Sequence, residues 1–329
     1  MCLKVVLSGL VITLLLGLCN SESCLTPPSE HKAYLDKLND LVKEIVPPLE
    51  GMKKGDGGRI AVIGGSVEYT GAPYFSAISA LKVGADLVYV ITTENAAPVI
   101  KIYSPDLIVY PFLHSKFGSK INLLLPKMDL IIIGPGLGRE DDTLHLITSI
   151  MKTCKELGKP LVIDADGLFA LSENIYVLKD YPSPGVILTP NEREATRLMK
   201  AVTTVTNSSS WYEYWGDNVS LVLKGKDDRF VSTSTCYSWS SSEGGSGRRA
   251  GGQGDILSGA LGTLYNWAIK SKICERSDKM HVAQSIASYG AAKFTRIANQ
   301  YAYSKLGRSL TATDMLNEIH ASFKEVFGQ

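Results

Sequence analysis

The richest chemistry in this 329-residue chain lies in Gly244-Gly245-Ser246-Gly247-Arg248-Arg249-Ala250-Gly251-Gly252-Gln253-Gly254-Asp255. Its glycines let the backbone turn tightly and aim N–H groups at an anion. The apolar run after it, Ile256 to Leu261, reads as a helix whose free N–H groups and positive dipole end face the same place. The segment is therefore a candidate phosphate or oxyanion cradle. Asp255 could be a plain first-turn carboxylate. Beside a bound anion, an extra negative charge is better explained as a general base. Arg248 and Arg249 suit bidentate contact with phosphate, the plainer reading being a solvated loop pair. No Lys-Ser or Lys-Thr follows the glycines, which excludes a Walker A loop. The segment also comes late, with no βαβ unit after it, which disfavours a nicotinamide dehydrogenase.

Other candidates sit where short apolar runs end. Gly64-Gly65-Ser66, then Tyr69-Thr70-Gly71-Ala72-Pro73-Tyr74, follow Arg59–Ile63. Gly134-Pro135-Gly136-Leu137-Gly138 follows Leu130–Ile133, and Asp164-Ala165-Asp166-Gly167 follows Leu161–Ile163. Carboxylates at a strand end can hold Mg²⁺ through water or bind a ribose hydroxyl; otherwise they cap the next helix. Asn191 and Glu194, after Val186–Leu188, have capping-box spacing, and the same pair could hold Mg²⁺-bound water. Lys224-Gly225-Lys226-Asp227-Asp228 follows Val219–Leu223, with Lys224 placed for a phosphate.

These ends need elements to position them. The β-rich runs already named are joined by Asp86–Ile91 and Leu107–Tyr110. Several are nearly continuous in Val, Ile and Leu, as strands buried on both faces are. Helical spacing predicts Pro73–Gly84, Asp141–Leu157 and Glu192–Ala201 between them, and 29–50 before them. After Gly254 come helices alone: Asp255–Ile269, His281–Asn299 and Thr311–Phe327. Repeated β-α-β units predict an α/β fold, a mostly parallel sheet with helices on both faces, and ligands beyond the carboxyl ends of the strands. Residues 25–329 read as one domain, since no repeat or long linker divides them.

The set Gly134–Gly138, Asp164–Gly167, Thr189–Glu194, Lys224–Asp228 and Arg248–Asp255, in that order, resembles the ribokinase-like superfamily. Within it, with the early Gly-Gly-Ser and Tyr-Thr-Gly-Ala-Pro-Tyr stretch, it is most similar to the ATP-dependent NAD(P)H-hydrate dehydratase family. The resemblance implies a ribokinase-like fold, ATP as co-substrate and Mg²⁺. Gly136 with Asn191, Glu192, Arg193, Glu194, Ala195, Thr196 and Arg197 would contact the hydrated dinucleotide. Lys224, Gly225, Lys226, Asp227 and Asp228 would contact ATP. So would Gly245, Ser246, Gly247, Arg248, Arg249, Ala250, Gly251, Gly252, Gln253 and Gly254. Asp255 would be catalytic, lying against the substrate hydroxyl, with Mg²⁺ near Asn191 and Glu194. The implied reaction is ATP-dependent dehydration of hydrated NADH or NADPH. The alternatives are a ribokinase-like kinase of a small vitamin-precursor alcohol and a catalytically silent nucleotide binder.

Composition bounds the partners. Lys+Arg 34 against Asp+Glu 33 leaves +1, which disfavours a nucleic-acid partner. Six cysteines without C-x-x-C spacing, and no H-E-x-x-H, leave a zinc site little support. Lys4 and the apolar run Val5 to Leu18 have the layout of a secretory signal over residues 1–24. At about 14 residues the run is shorter than a membrane span, so no stable anchor is expected. An uncleaved anchor, a mitochondrial presequence and a cytosolic chain stay open. Asn207-Ser208-Ser209 and Asn218-Val219-Ser220 are glycosylation sequons if the chain is secreted. Assembly into a homo-oligomer is left open.

Overall fold

The computed structural model describes residues 31–207, 210–273 and 278–328. The leader, Ser208 and Ser209 of the first sequon, and Cys274 lie outside the described residues. In chain order the longer elements are α1 (His31–Glu44), β1 (Arg59–Ile63), α2 (Gly71–Val83), β2 (Leu87–Ile91), α3 (Ala96–Tyr103), β3 (Ile108–Tyr110) and α4 (Gly118–Leu124). Next come β4 (Leu130–Ile133), α5 (Asp141–Glu156), β5 (Leu161–Ile163), α6 (Ala165–Glu173), β6 (Val186–Leu188), α7 (Glu192–Thr203) and β7 (Val219–Leu223). The chain ends with β8 (Asp228–Val231), β9 (Trp239–Ser241), α8 (Gln253–Lys270), α9 (Lys279–Leu306), α10 (Ala312–Asn317) and α11 (Ile319–Phe327).

These strands form one sheet in the order β3-β2-β1-β4-β5-β6-β7-β8-β9. The first seven are parallel, and β8 and β9 continue the sheet antiparallel. Strand order reverses between β1 and β4, and such a switch point opens a crevice beyond the carboxyl ends.

Leu-Ile-Ile-Ile of β4 shows why the expected all-apolar strands form. Leu130 and Ile132 pack into the core under α2, α8 and α9, while Ile131 and Ile133 pack into the core on the opposite face. All four are fully buried, and each isoleucine contributes about 1.5–3 kcal/mol. The mostly parallel sheet with helices on both faces is thus as the sequence predicts.

Two local expectations change. The single helix Thr311–Phe327 is two helices, because Glu318 leaves helical geometry (φ −95°, ψ 0°). Its buried carboxylate is held by Lys305 Nζ at 2.7 and 2.8 Å. The Ser/Gly-rich stretch before the cradle contains β9, in which only Trp239 favours a strand. Packing decides it: Trp239 stacks on Phe230 with centroids 6.1 Å apart and donates to the Ser285 carbonyl.

Candidate active site

The cradle segment becomes the entrance to α8. The helix starts at Gln253 with Gly252 as its N-cap, so Asp255 is its third residue, not its opening one. Gly252 has φ +91°, and a Cβ there would meet Ala312 Cβ at 2.6 Å. Only glycine fits such a left-handed, crowded turn. The first amide satisfied inside the helix is that of Ile256, bonded to Gly252 O. The amides of Gln253, Gly254 and Asp255 therefore remain as donors pointing out of the helix end.

Three strand ends bring side chains to this helix end. Asp164, after β5, is 1% exposed and accepts from Lys224 Nζ at 2.7 Å. It stands at the N-cap position of α6 but makes no side-chain cap there, so its role is the lysine pair. Lys224, after β7, also lies 4.0 Å from Glu194 on α7. A Cβ at Gly254 would be 3.4 Å from Lys224 Nζ and 3.8 Å from Asp164 Oδ2. The lysine and its carboxylate thus abut the first turn of α8.

The electrostatics follow from three carboxylates sharing one ammonium. Burial, then Asp164, push Asp255 up to about 8; Lys224 opposes this, while Glu194 and Asp166 add to it. Burial likewise raises Glu194, with Lys224 opposing. Burial alone would lower Lys224, but Asp164 and Glu194 outweigh it and hold the ammonium above its ordinary range. Asp255 is therefore poised to take up and release a proton near neutrality, as a general base requires.

Beside this cluster opens a cleft of about 480 Å³, within the roughly 300–1,000 Å³ usual for small-molecule sites. It brings together Asn191, Glu192, Lys224, Gly225, Lys226 and Asp228 with Gly245, Arg249, Ala250, Gln253 and Gly254. A Cβ at Gly251 would meet nothing within 4 Å, so the cradle is open there. Asp227, Ser246, Gly247 and Arg248 do not line the cleft. Ser246 Oγ is bonded to Asn299 Oδ1 at 2.7 Å, and Arg248 donates to the Arg249 carbonyl. Asp228 holds the turn together rather than offering a free carboxylate: it accepts from Gly225 N and from Arg296 Nε at 2.7 Å.

The Asn191–Glu194 spacing is a true capping box: Asn191 Oδ1 accepts from the Arg193 and Glu194 amides, and Glu194 Oε2 accepts from Asn191 N. Arg193 and Thr196 are exposed on α7, outside the cleft, as is Ala195, which is part-buried. Gly136 packs against Tyr69 in the turn after β4, toward the switch point.

Sequence reasoning missed one wall of the cleft. Ala292, Thr295, Arg296 and Asn299 of α9 line it. Arg296 Nη2 also donates to the Gly225 and Lys226 carbonyls, fixing the lysine turn. The residues that carry polar groups, Thr295, Arg296 and Asn299, share one face at i, i+1 and i+4 with Ala292 beside them, but the helix has other polar positions and nothing in its spacing singles these out. A larger cleft of about 710 Å³, near Met52, Lys82, Trp267 and Phe323, holds no comparable cluster. Its one carboxylate, Asp86, already accepts from the Gly55 and Gly57 amides.

Fold and site together define a ribokinase-like α/β protein. A ribokinase-like superfamily protein from Enterococcus faecalis shares the fold with a TM-score of 0.67 at 19% identity, over 88% of this chain and 94% of that one. An ADP/ATP-dependent NAD(P)H-hydrate dehydratase from Bacillus subtilis, crystallised with ATP and Mg²⁺, gives 0.62 at 18% identity, over 88% and 97%. A family model described as NAD(P)H-hydrate dehydratase matches residues 60–317. The ATP-dependent (S)-NAD(P)H-hydrate dehydratase of Aedes aegypti is 45% identical over 301 residues, 91% of this chain and 87% of that one. The chain belongs to the NAD(P)H-hydrate dehydratase family.

Proposed function

We propose that this protein restores hydrated NADH and NADPH by ATP-driven dehydration. The observation that carries the reading is Asp255, a carboxylate with a proton affinity raised to about 8, seated in the first turn of a helix whose end amides are free donors. Family membership supplies the substrate class.

The hydrate bears a hydroxyl on a ring carbon next to the nitrogen, and hydroxide leaves poorly. Asp255 takes the hydroxyl proton as that oxygen attacks the γ-phosphorus of ATP, so an O–P bond forms and the bond to ADP breaks. The amides of Gln253 to Asp255 stabilise the charge on the transferring group. The nitrogen lone pair then expels phosphate, and loss of a ring proton restores the double bond. The products are NADH or NADPH, ADP, phosphate and a proton.

The donor set fits Mg²⁺ arriving with ATP. Among the described residues no three-ligand metal cluster exists, but Mg²⁺ usually takes one or two carboxylates, water and substrate phosphates. Asp164 Oδ2 and Glu194 Oε1 have no hydrogen bond among the described residues, and one lysine faces three acids. These two oxygens would hold the ion through water, and the ion would neutralise phosphate charge. The Asn191 side chain is committed to its cap.

The test is to incubate the full chain with hydrated NADH, ATP and Mg²⁺. Return of the reduced-nicotinamide absorbance with one ADP per ring is expected. ADP formed only with a small vitamin-precursor alcohol would replace this reading with the kinase one. Neither product would leave a silent nucleotide binder. The near-neutral total charge supports small molecules rather than nucleic acid as partners. Among the described residues no helix is long and apolar enough to cross a membrane.

Entry into the secretory pathway is a further part of the proposal. It is supported by the signal-like leader and by Cys236, which is disulfide-bonded, a state that persists in oxidising compartments. Asn218 Nδ2 donates to the Tyr181 carbonyl at 2.9 Å, so a glycan there would have to be added before folding. A mature N-terminus near residue 25, with Cys236 resistant to alkylation until reduced, is expected from cells expressing the tagged chain. Retention of the leader in cytosolic protein with an alkylatable Cys236 would send the proposal back to its cytosolic alternative.

A further inference from the structure

The triphosphate-sized cleft runs from β6 toward β8, but a second group of cations lies on the β4 side of Asp255. Arg139 leaves the glycine turn after β4, Phe169 sits on α6 after β5, and Arg197 sits on α7 after β6. The guanidinium carbons of Arg139 and Arg197 lie 4.5 and 5.0 Å from the centroid of the same Phe169 ring. Two like charges gathered on one ring repel; among the described residues Arg139 is ion-paired with Asp166 at 3.0 Å, whereas Arg197 meets Glu194 only at electrostatic range. Arg197 has no ion pair among the described residues, and the Arg139 side chain is 54% exposed. Asp166 also accepts from Gly138 N, so it aligns the arginine and the glycine turn together.

An independent feature points to a ligand here. Ser66 Oγ is buried, in a residue 9% exposed, and has no hydrogen-bond partner among the described residues. It lies 3.8 Å from where a Cβ at Gly138 would stand, beside the start of the arginine loop. A buried hydroxyl without a partner is costly, so such groups mark places a ligand or water completes.

We propose that Arg139 and Arg197 form the subsite for the diphosphate of the dinucleotide substrate, with Ser66 Oγ as a further donor. The inference rests on the dehydratase reading above. In a dinucleotide only one ribose separates the nicotinamide from the diphosphate, so its anion site must lie close to the base. Asp166 meets this condition, being near enough to Asp255 to help raise its proton affinity. Two linked phosphates match two guanidinium forks, each able to bind oxygen pairs. Phe169 holds both forks in place and gives the ribose an apolar wall. Arg139 is thereby a specificity-determining residue that no glycine or acid motif announces.

The test uses the full chain with Arg139→Ala and Arg139→Lys. The alanine variant should raise KM for hydrated NADH and hydrated NADPH alike, by about tenfold or more. KM for ATP should hold, and kcat should change far less than KM. The lysine variant should recover part of the loss, because it keeps the charge but not the fork. Direct fluorescence titration with NADH, without ATP, should show the same weakening. A loss confined to hydrated NADPH would assign the arginines to the 2′-phosphate and overturn the proposal, as would unchanged NADH binding or a rise in KM for ATP. The titration separates the two readings: a wild-type chain that binds NADH through Arg139 but turns over no hydrate keeps the subsite and loses the dehydratase assignment. Should the alanine variant not fold, the lysine variant alone decides, since equal NADH affinity in it and in wild type would reject a bidentate fork.

Discussion

Replacing Asp255 with asparagine should lower kcat by at least about two orders of magnitude and, in the same protein, raise Tm. The rate falls because asparagine keeps the shape of the first turn of α8 but cannot take the hydroxyl proton. The stability rises because the carboxylate is held against its own charge by burial and by Asp164, Glu194 and Asp166. Its folded pKa, about 8, lies above the ordinary aspartate value of 3.8. The folded state therefore keeps a proton that the unfolded chain releases, and stability drains away as pH rises between those values. The gain in Tm on substitution should be small near pH 4 and fullest above pH 8, worth about 1–3 kcal/mol. In the wild type, kcat/KM should climb with pH and level off near 8, a limb shared by the coupled acids and absent from the asparagine variant. Near-normal turnover in Asp255→Asn, or a falling limb over that range, would remove Asp255 from the chemistry.

Lys224→Met is the second large effect, and it should be the opposite in stability. Methionine replaces the aliphatic stem but leaves Asp164, which is 1% exposed, without the ammonium 2.7 Å away. Breaking a buried pair by removing one member costs roughly 3 kcal/mol, so Tm should drop. The same loss takes away the positive charge that holds Asp255 down against the acids around it. Its pKa should climb further, and the kcat/KM limb should move to more alkaline pH. Turnover at neutral pH falls at two points: fewer molecules have an ionised base, and the cleft has lost a cation at its floor. The double variant Lys224→Met with Asp164→Asn should recover much of the Tm but not the activity. Full recovery of activity in that double variant would show the lysine to be needed only for its partner.

The motif positions were legible because each obeys a local rule. The Gly252 turn needs a left-handed residue, Asn191 and Glu194 complete a cap three residues apart, and β4 is apolar at every position because both its faces are covered. Local rules also explain the errors. A helical period runs unbroken through Thr311–Phe327, yet the backbone leaves helical geometry at Glu318, whose buried carboxylate is paired with Lys305 from another helix. Of Trp239-Ser240-Ser241 only the tryptophan favours a strand; the stacking partner and the Ser285 carbonyl that hold it there lie elsewhere in the chain.

The sequence by itself determined the alternation of strands and helices, the glycine cradle and the presence of Asp255 within it. Those follow from backbone sterics and from period, which need only neighbours along the chain. Only the tertiary structure decided that Asp164 and Lys224, 60 residues apart, meet at the first turn of α8, that Arg296 ties the lysine turn from α9, and that two arginines share Phe169. Charges act through space and burial depends on all the elements around a group, so the proton affinity that makes Asp255 a base is a property of the assembled sheet end and of no segment alone.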